Sequence, residues 1–488
     1  MSSSFFAREC QALRCSRLVF PQTAERFSHK LPNEFHANSR TDIVQTAEKE
    51  LCADAEYATI ERMKGYRKRI ADDLLARKLR GLGAVLVQGP KWCGKTTTCE
   101  QQAASVLHMD DPDTKEANIR LADINIKELL AGERPRLIDE WQLAPKFWDA
   151  VRYQVDHEGG SGLFVLTGSA VPPDASLMSH SGTGRISRLT MRTMSLWESG
   201  ESSGGLSLGE LFGDNGFLSC KAHSVGLRDM AAIICRGGWP AAVTHEGPEA
   251  LDLAAEYFKA VCESDISRVD GVEREPSRVR RLMRSYARLQ GTQANLSVIR
   301  RDLVANDSRQ LSEDTIASYL EALRKIFVVE DLEAWSPNLR SKVQIRTSDT
   351  RYFTDPSIAA AALGIGPGNL MEDLNTFGFF FEALAIRDLR VYAETLSGSI
   401  GHYLDASGLE CDAVIHLQNG DYALAEIKLG GDALISKGVA SLNALEGKLD
   451  VKTMKRPAFK MVLTAVGEYA YRRKEDGIII CPISALRP

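Results

Sequence analysis

An α/β fold, a parallel sheet with helices on both faces, is the class the sequence predicts for its N-terminal folded part, on three observations. Short apolar runs of strand length occur at Ala84–Val87, Arg136–Ile138 and Leu163–Leu166. Segments of helical character separate them; in Tyr66–Leu79, residues Ile70, Leu74, Leu75 and Leu79 fall on one helical face. A glycine-rich stretch follows the first run without a gap. Strands that alternate with helices line up in parallel and are covered on both sides.

Composition narrows the class. Of 488 residues, 44% are hydrophobic and 26% charged, the mix of a soluble globular chain of about three or four domains. A net charge of -5 and a pI near 6.1 give no global attraction to nucleic acid, so any DNA contact has to come from a local basic patch. No apolar run approaches the ~20 residues of a membrane-spanning helix, so no membrane partner is expected. The ten cysteines, Cys10 to Cys481, stand singly without CxxC pairs or zinc-ligand spacing. They read as reduced thiols of a cytoplasmic protein.

Pattern changes along the chain predict five segments. Residues 1–62 are polar and weakly patterned and read as a disordered extension, or as the product of a start codon placed too early, with Met63 the natural beginning. The α/β pattern fills 63–200. Residues 201–275 read as a Ser/Gly linker and helical connector. In 276–354, three short helices precede two strand-like runs, Val328–Leu332 and Gln344–Phe353, the layout of a winged helix. A second α/β region fills 355–488.

The glycine-rich stretch is Gly89-Pro90-Lys91-Trp92-Cys93-Gly94-Lys95-Thr96-Thr97, which fits GxxxxGK[ST]. A strand before it and a helix after it give the phosphate-binding context of a P-loop NTPase. Backbone N–H groups converge on phosphate oxygens where glycine permits close approach. Lys95 is expected on the β- and γ-phosphates and Thr96 on Mg²⁺. Cys93 reads as a small filler or as an oxidation-sensitive thiol. The strand ending in Asp139-Glu140 supplies the second half: Asp139 for Mg²⁺ and Glu140 to polarise the attacking water. Thr167 or Ser169, ending a third strand, is a candidate γ-phosphate contact, or the two simply cap the strand end. Arg185, in Gly182-Thr183-Gly184-Arg185, reads as a γ-phosphate finger acting in cis or in trans, or as an ordinary surface-loop residue.

Together GPKWCGKTT, RLIDEWQ (Arg136–Gln142), FVLTGS and HSGTGRI resemble the AAA-superfamily ATP-binding proteins of bacteria and archaea that carry a C-terminal domain of unknown function. RGGWPAA (Arg236–Ala242), DPSIAAAALG (Asp355–Gly364) and FFFEALAIRDL (Phe379–Leu389) are similar to that family's downstream blocks. The resemblance runs from about Met63 to Leu445. It implies ATP and Mg²⁺ as cofactors at Gly94, Lys95, Thr96, Asp139 and Glu140.

Two further patterns carry chemistry. The winged-helix-like segment holds Arg278, Arg280, Arg281, Arg284, Arg288, Arg300 and Arg301, which face DNA phosphates or a solvated, domain-covering surface. Near the C-terminus, Glu410, Asp412, Glu426 and Lys428 form E-x-D…E-x-K around a turn at Asn419-Gly420. A two-residue turn puts Glu426 on the face opposite Asp412. Aligning the apolar sets Cys411/Ala413/Ile415/Leu417 and Ala423/Ala425/Ile427/Leu429 instead requires an odd loop or a bulge. Asp412, Glu426 and Lys428 then share a face, with Glu382 on the preceding helix as a fourth member. That is the arrangement of a PD-(D/E)xK, restriction-endonuclease-like domain, in which the acids hold a second metal and Lys428 positions water.

Three functions follow: an ATP-driven switch engaging DNA, an ATP-regulated nuclease, and a nucleotide-binding scaffold that hydrolyses little. Homo-oligomerisation stays open.

Overall fold

The computed structural model describes residues 66–171, 182–213, 216–306, 311–336, 348–449 and 455–488. The expectation for residues 1–62 lies outside them, as does the start of the run Gln344–Phe353. Arg67–Pro488 form one compact unit, to which everything below refers.

Five strands, β1 (Ala84–Gln88), β2 (Ser105–His108), β3 (Arg136–Asp139), β4 (Phe164–Gly168) and β5 (Ile186–Thr190), make an all-parallel sheet. Their order is β2-β3-β4-β1-β5. Alternate residues of each strand enter different cores. Ala84, Leu86, Ile138, Phe164 and Leu166 pack on one side with α3 (Lys115–Leu130) and α4 (Phe147–Glu158). Val85, Val87, Leu137, Val165 and Leu189 pack on the other with α1 (Ile70–Gly81) and Cys99 of α2 (Lys95–Glu100). A sheet covered on both faces needs apolar residues at every position, which is why its central strands read as continuous runs. The edge strands were not legible in that way. β2 is only partly buried, and β5 carries an exposed Arg188 in its middle.

A helical module follows: α5 (Leu227–Arg236), α6 (Pro248–Ala260), α7 (Pro276–Arg288), α8 (Leu296–Asn306), α9 (Glu313–Lys325) and α10 (Pro356–Leu363). Past its end α6 runs on through a π-turn, Val261–Asp265, into Ile266–Arg268. Met230, Tyr257, Leu282, Ile316 and Ile358 share one core, so no break in packing falls at residue 275. Of the expected strand pair after α9, two isolated antiparallel bridges are present, Val329 with Phe353 and Leu332 with Thr350.

The C-terminal part centres on α11 (Leu374–Thr395) and a seven-stranded mixed sheet. After β6 (Leu206–Ser207) and β7 (Ser219–Lys221) its strands are β8 (Gly398–Leu404), β9 (Glu410–Leu417), β10 (Tyr422–Lys428), β11 (Lys460–Thr464), β12 (Tyr469–Arg472) and β13 (Ile479–Pro482). The order is β7-β12-β13-β11-β10-β9-β8, with α12 (Asp432–Lys448) against β10. The edge strand β7 comes from the region expected to be a linker. β6, from the same region, pairs with β14 (Leu486–Arg487) at the chain's end. Its Ser and Gly residues do not leave that stretch loose. Ser202 Oγ donates to Leu486 O (2.7 Å) and Ser207 Oγ to Pro488 O (2.7 Å).

One buried carboxylate joins the three parts. Asp355 accepts from Thr193 Oγ1 (2.6 Å), Gly238 N (3.0 Å), Ser357 Oγ (2.6 Å) and Arg387 Nη1 (3.0 Å). Gly237 has φ 75°, and a Cβ there would lie 2.4 Å from Ser357 Oγ. The blocks RGGWPAA and DPSIAAAALG therefore belong together as the two sides of one joint.

Candidate nucleotide-binding site

The loop after β1 turns sharply because Gly89 has φ 156° and passes under Met191; a Cβ there would lie 2.0 Å from Met191 O. Lys95 opens α2 and folds back, its Nζ donating to Gly89 O (3.0 Å) and Pro90 O (2.8 Å). With only six residues, α2 offers little macrodipole, so the loop amides and Lys95 are the main attraction for phosphate. Cys93 is buried, with Sγ 3.5 Å from Met191 O, which suits a filler. Lys91 pairs with Asp265 at 2.6 Å, and Trp92, half exposed at φ 65°, meets the Tyr257 ring edge-on with centroids 5.6 Å apart.

β3 and β4, adjacent in the sheet, deliver the acidic half. Thr96 Oγ1 donates to Asp139 Oδ1 at 2.8 Å, and Thr167 Oγ1 donates to the same oxygen. The other oxygen, Oδ2, faces His108 Nδ1 at 3.2 Å. Glu140 is held in the left-handed region (φ 55°, ψ 45°), a conformation non-glycine residues adopt mainly where surrounding structure imposes it. Its carboxylate accepts from Ser169 Oγ (3.1 Å) and from Gln142 Nε2. Hydroxyl and carboxylate oxygens side by side are the hard donor set Mg²⁺ takes.

Beside them opens a cleft of about 840 Å³, with Lys95, Thr96, Thr97, Glu140 and Ser169 on one wall. The opposite wall is the helical module, through Trp239, Pro240, Ala241, Leu253 and Arg268. Sequence reasoning missed that wall: nothing about Arg268 in isolation sets it apart from other surface arginines.

It also missed Arg69. This buried guanidinium donates to Cys93 O in the loop (2.8 Å), Arg192 O (2.9 Å) and Glu198 Oε1 (2.9 Å). Within Arg67-Lys68-Arg69 it reads as part of a solvated charge run. Arg192 passes the contact on, bonding Glu330 at 2.6 Å and Glu394 at 3.4 Å. Burial pushes the Glu330 carboxyl up, but Arg192 and Arg390 outweigh it and hold the group at about 2.

Arg185 is not brought to the loop. It precedes β5 at the sheet edge where strands enter, whereas Gly89 follows β1 at the edge where they leave. Its guanidinium pairs with Asp156 at 2.7 Å. Five residues of strand, about 16 Å, separate the two edges.

A second cluster sits on the C-terminal sheet. β9 and β10 pair with Ala425 opposite Ala413 and Tyr422 opposite His416, the register set by the two apolar faces and an odd loop. Lys428 Nζ lies 2.7 Å from Asp412 Oδ2 and 2.6 Å from Glu426 Oε2. Burial pushes the Glu426 carboxyl up to about 8, with the Asp412 charge adding, and its buried Oε1 has no hydrogen-bond partner among the described residues. Glu382, on α11, is raised well above the carboxylate range by burial and then by Asp412, and takes a hydrogen bond from Tyr352 Oη. The basic helix α7 is largely neutralised: Arg278 pairs with Glu275, Arg280 with Glu263 and Arg288 with Asp302, while Arg284 bonds Ala362 O.

Among the described residues, no helix is long and apolar enough to cross a membrane. No curated relative matches the chain. Of solved structures, the Walker-type ATPase of Pyrococcus abyssi is similar at 12% identity, over 62% of this chain and 97% of that one, with a TM-score of 0.39. The Aeropyrum pernix ORC1 protein, solved in complex with DNA, is similar at 13% identity, over 62% of this chain and 91% of that one, with a TM-score of 0.21. At these scores neither likeness bears on fold or function. A family model described as a domain of unknown function (DUF8612) matches residues 227–369, running through the expected boundary at 275. A second, described as an AAA domain, matches residues 83–199, which hold the loop, Asp139, Glu140 and the parallel sheet. The chain therefore carries a P-loop nucleotide-binding domain of the AAA type.

Proposed function

We propose that the chain is a Mg²⁺-dependent ATPase whose nucleotide state is passed from the P-loop domain to the helical and C-terminal modules, which engage DNA. The observation that carries this reading is the two-walled cleft. Lys95, Thr96, Asp139 and Glu140 line or border one side, and Arg268 and Trp239 of the helical module line the other. A ligand filling it touches both, so its charge changes at hydrolysis act on both. Thr96 and Asp139 hold the cation, which neutralises phosphate charge; Lys95 binds the β- and γ-phosphates; Glu140 orients and deprotonates the attacking water.

The test is ATP hydrolysis by the full chain, with and without Mg²⁺ and DNA, beside Lys95→Ala. Turnover that needs Mg²⁺, rises with DNA and disappears with Lys95 supports the reading. ATP binding without turnover leaves a regulatory scaffold. The DNA part rests on Arg300 and Arg301, both exposed on α8 and neither holding an ion pair among the described residues. Replacing both with Ala is expected to lower the slope of log affinity against log salt by about 2. An unchanged slope removes α8 as the DNA contact.

A nuclease reading is favoured by a separate observation, the shared face of Asp412, Glu426 and Lys428 with Glu382 beside it. There the acids hold a divalent cation and Lys428 positions water. Under this reading Asp412→Ala abolishes Mg²⁺-dependent DNA cleavage and leaves ATP turnover in place; cleavage that survives the substitution ends it.

A further inference from the structure

Two side chains at the end of β2 have no part in the reading above. β2 and β3 pair in parallel with His108 directly beside Asp139. His108 Nδ1 lies 3.2 Å from Asp139 Oδ2, the oxygen that Thr96 and Thr167 do not use. Asp110 follows two residues later on the rim of the nucleotide cleft. One ligand atom from each of His108, Asp110 and Asp139 lies within 4.8 Å of the others. The remaining ring nitrogen, His108 Nε2, faces Glu100 Oε1 in the last turn of α2 at 3.8 Å. An imidazole with a carboxylate beside each ring nitrogen and a third carboxylate within reach has the layout of carboxylate–histidine–metal sites. In such sites the rear carboxylate holds the ring in orientation.

We propose that His108, Asp110 and Asp139 form a site for a first-row divalent cation, bound without nucleotide and preferred over Mg²⁺. The proposal rests on the ATPase reading only in that both use Asp139, through different oxygens. Two aspartates and a neutral imidazole bring two negative charges and one nitrogen ligand. Oxygen alone suits Mg²⁺, whereas imidazole shifts preference along the first transition row. A cation here sits on the His108 side of Asp139, away from Thr96. It links β2, β3 and, through Glu100, the P-loop helix.

The experiment is a Mn²⁺ titration of nucleotide-free full-length protein, following free Mn²⁺ by electron paramagnetic resonance. It is run in the Asp412→Ala background, so that the C-terminal cluster does not contribute. One Mn²⁺ is expected to bind and to resist an equal concentration of Mg²⁺. His108→Ala and Asp110→Asn each weaken it by about 10-fold or more, and Glu100→Gln by about 10-fold. Lys95→Ala, which removes nucleotide binding, keeps the Mn²⁺ site. His108 is half exposed and Asp110 exposed, so neither change empties a core, and melting curves of both variants check this. No Mn²⁺ binding by the parent, or the same affinity in His108→Ala and Asp110→Asn, overturns the proposal and leaves His108 and Asp139 a simple hydrogen-bonded pair. If Mn²⁺ binds as expected but the protein takes up no ATP, the ATPase reading fails and the cation site stands.

Discussion

Glu140→Gln is expected to lower the turnover number for ATP by about 100- to 10,000-fold while ATP still binds, the span associated with losing a positioned general base. The amide keeps the size of the carboxylate and its contacts with Ser169 and Gln142, so the left-handed turn after β3 survives. What it lacks is a site to receive the water's proton. The measurement is single-turnover hydrolysis beside nucleotide binding on the same preparation. A fall of less than about 10-fold means that another group takes the proton and moves Glu140 to a structural role. Loss of binding together with turnover means instead that the turn collapsed. The Lys95→Ala variant differs in kind: it removes affinity, because a buried ammonium opposite phosphate is worth about 2–5 kcal/mol when one partner is deleted.

Arg69→Ala is the substitution expected to cost most in stability, about 3–5 kcal/mol by denaturant unfolding. It strips Glu198 of its cation, leaves Cys93 O without its donor and breaks the contact to Arg192 O. Burial pushes the Glu198 carboxyl up, yet Arg69 and the hydrogen bonds from Ser195 and Ile70 bring it below its ordinary value of 4.5. The sign follows: a carboxyl lowered in the folded state adds stability above 4.5 and loses it as pH falls through the lowered value. The difference between wild type and Arg69→Ala is therefore largest at neutral pH and shrinks below 4.5. A loss under about 1 kcal/mol at neutral pH would make the ion pair dispensable, with the P-loop's position owed to its apolar neighbours alone.

Much of the N-terminal domain was legible because both faces of its sheet are buried. Central strands β1, β3 and β4 appear as unbroken apolar runs, and the loop between β1 and α2 has a spacing that phosphate geometry demands. β2 and β5 were not legible because an edge strand is half solvated and tolerates His108 or Arg188. The C-terminal hairpin was legible in register, since a slip of one residue would expose Ala413, Ile415 and Ala425 together. What a single chain does not reveal is contact between distant segments. Arg268 reaches the cleft only because α6 continues through a π-turn, and Arg69 matters only because Glu198 and Cys93 lie where the fold puts them. The Ser- and Gly-rich stretch after residue 200 misled for the complementary reason. Flexible composition describes what a backbone allows, whereas the strands β6 and β7 depend on partners supplied by the far end of the chain.

That dependence sets a timetable for synthesis. Ser219 leaves the ribosome roughly 250 residues ahead of Tyr471, its partner across β7 and β12. At ordinary elongation rates the interval is roughly 10–50 s. The P-loop sheet needs nothing beyond β5 and can close early, but β7 must wait with its edge groups unmet until the last strands emerge. A ribosome stalled after residue 400 would thus carry a finished nucleotide-binding domain and an orphaned strand. Chaperone demand in this protein should concentrate on that waiting segment rather than on the P-loop domain.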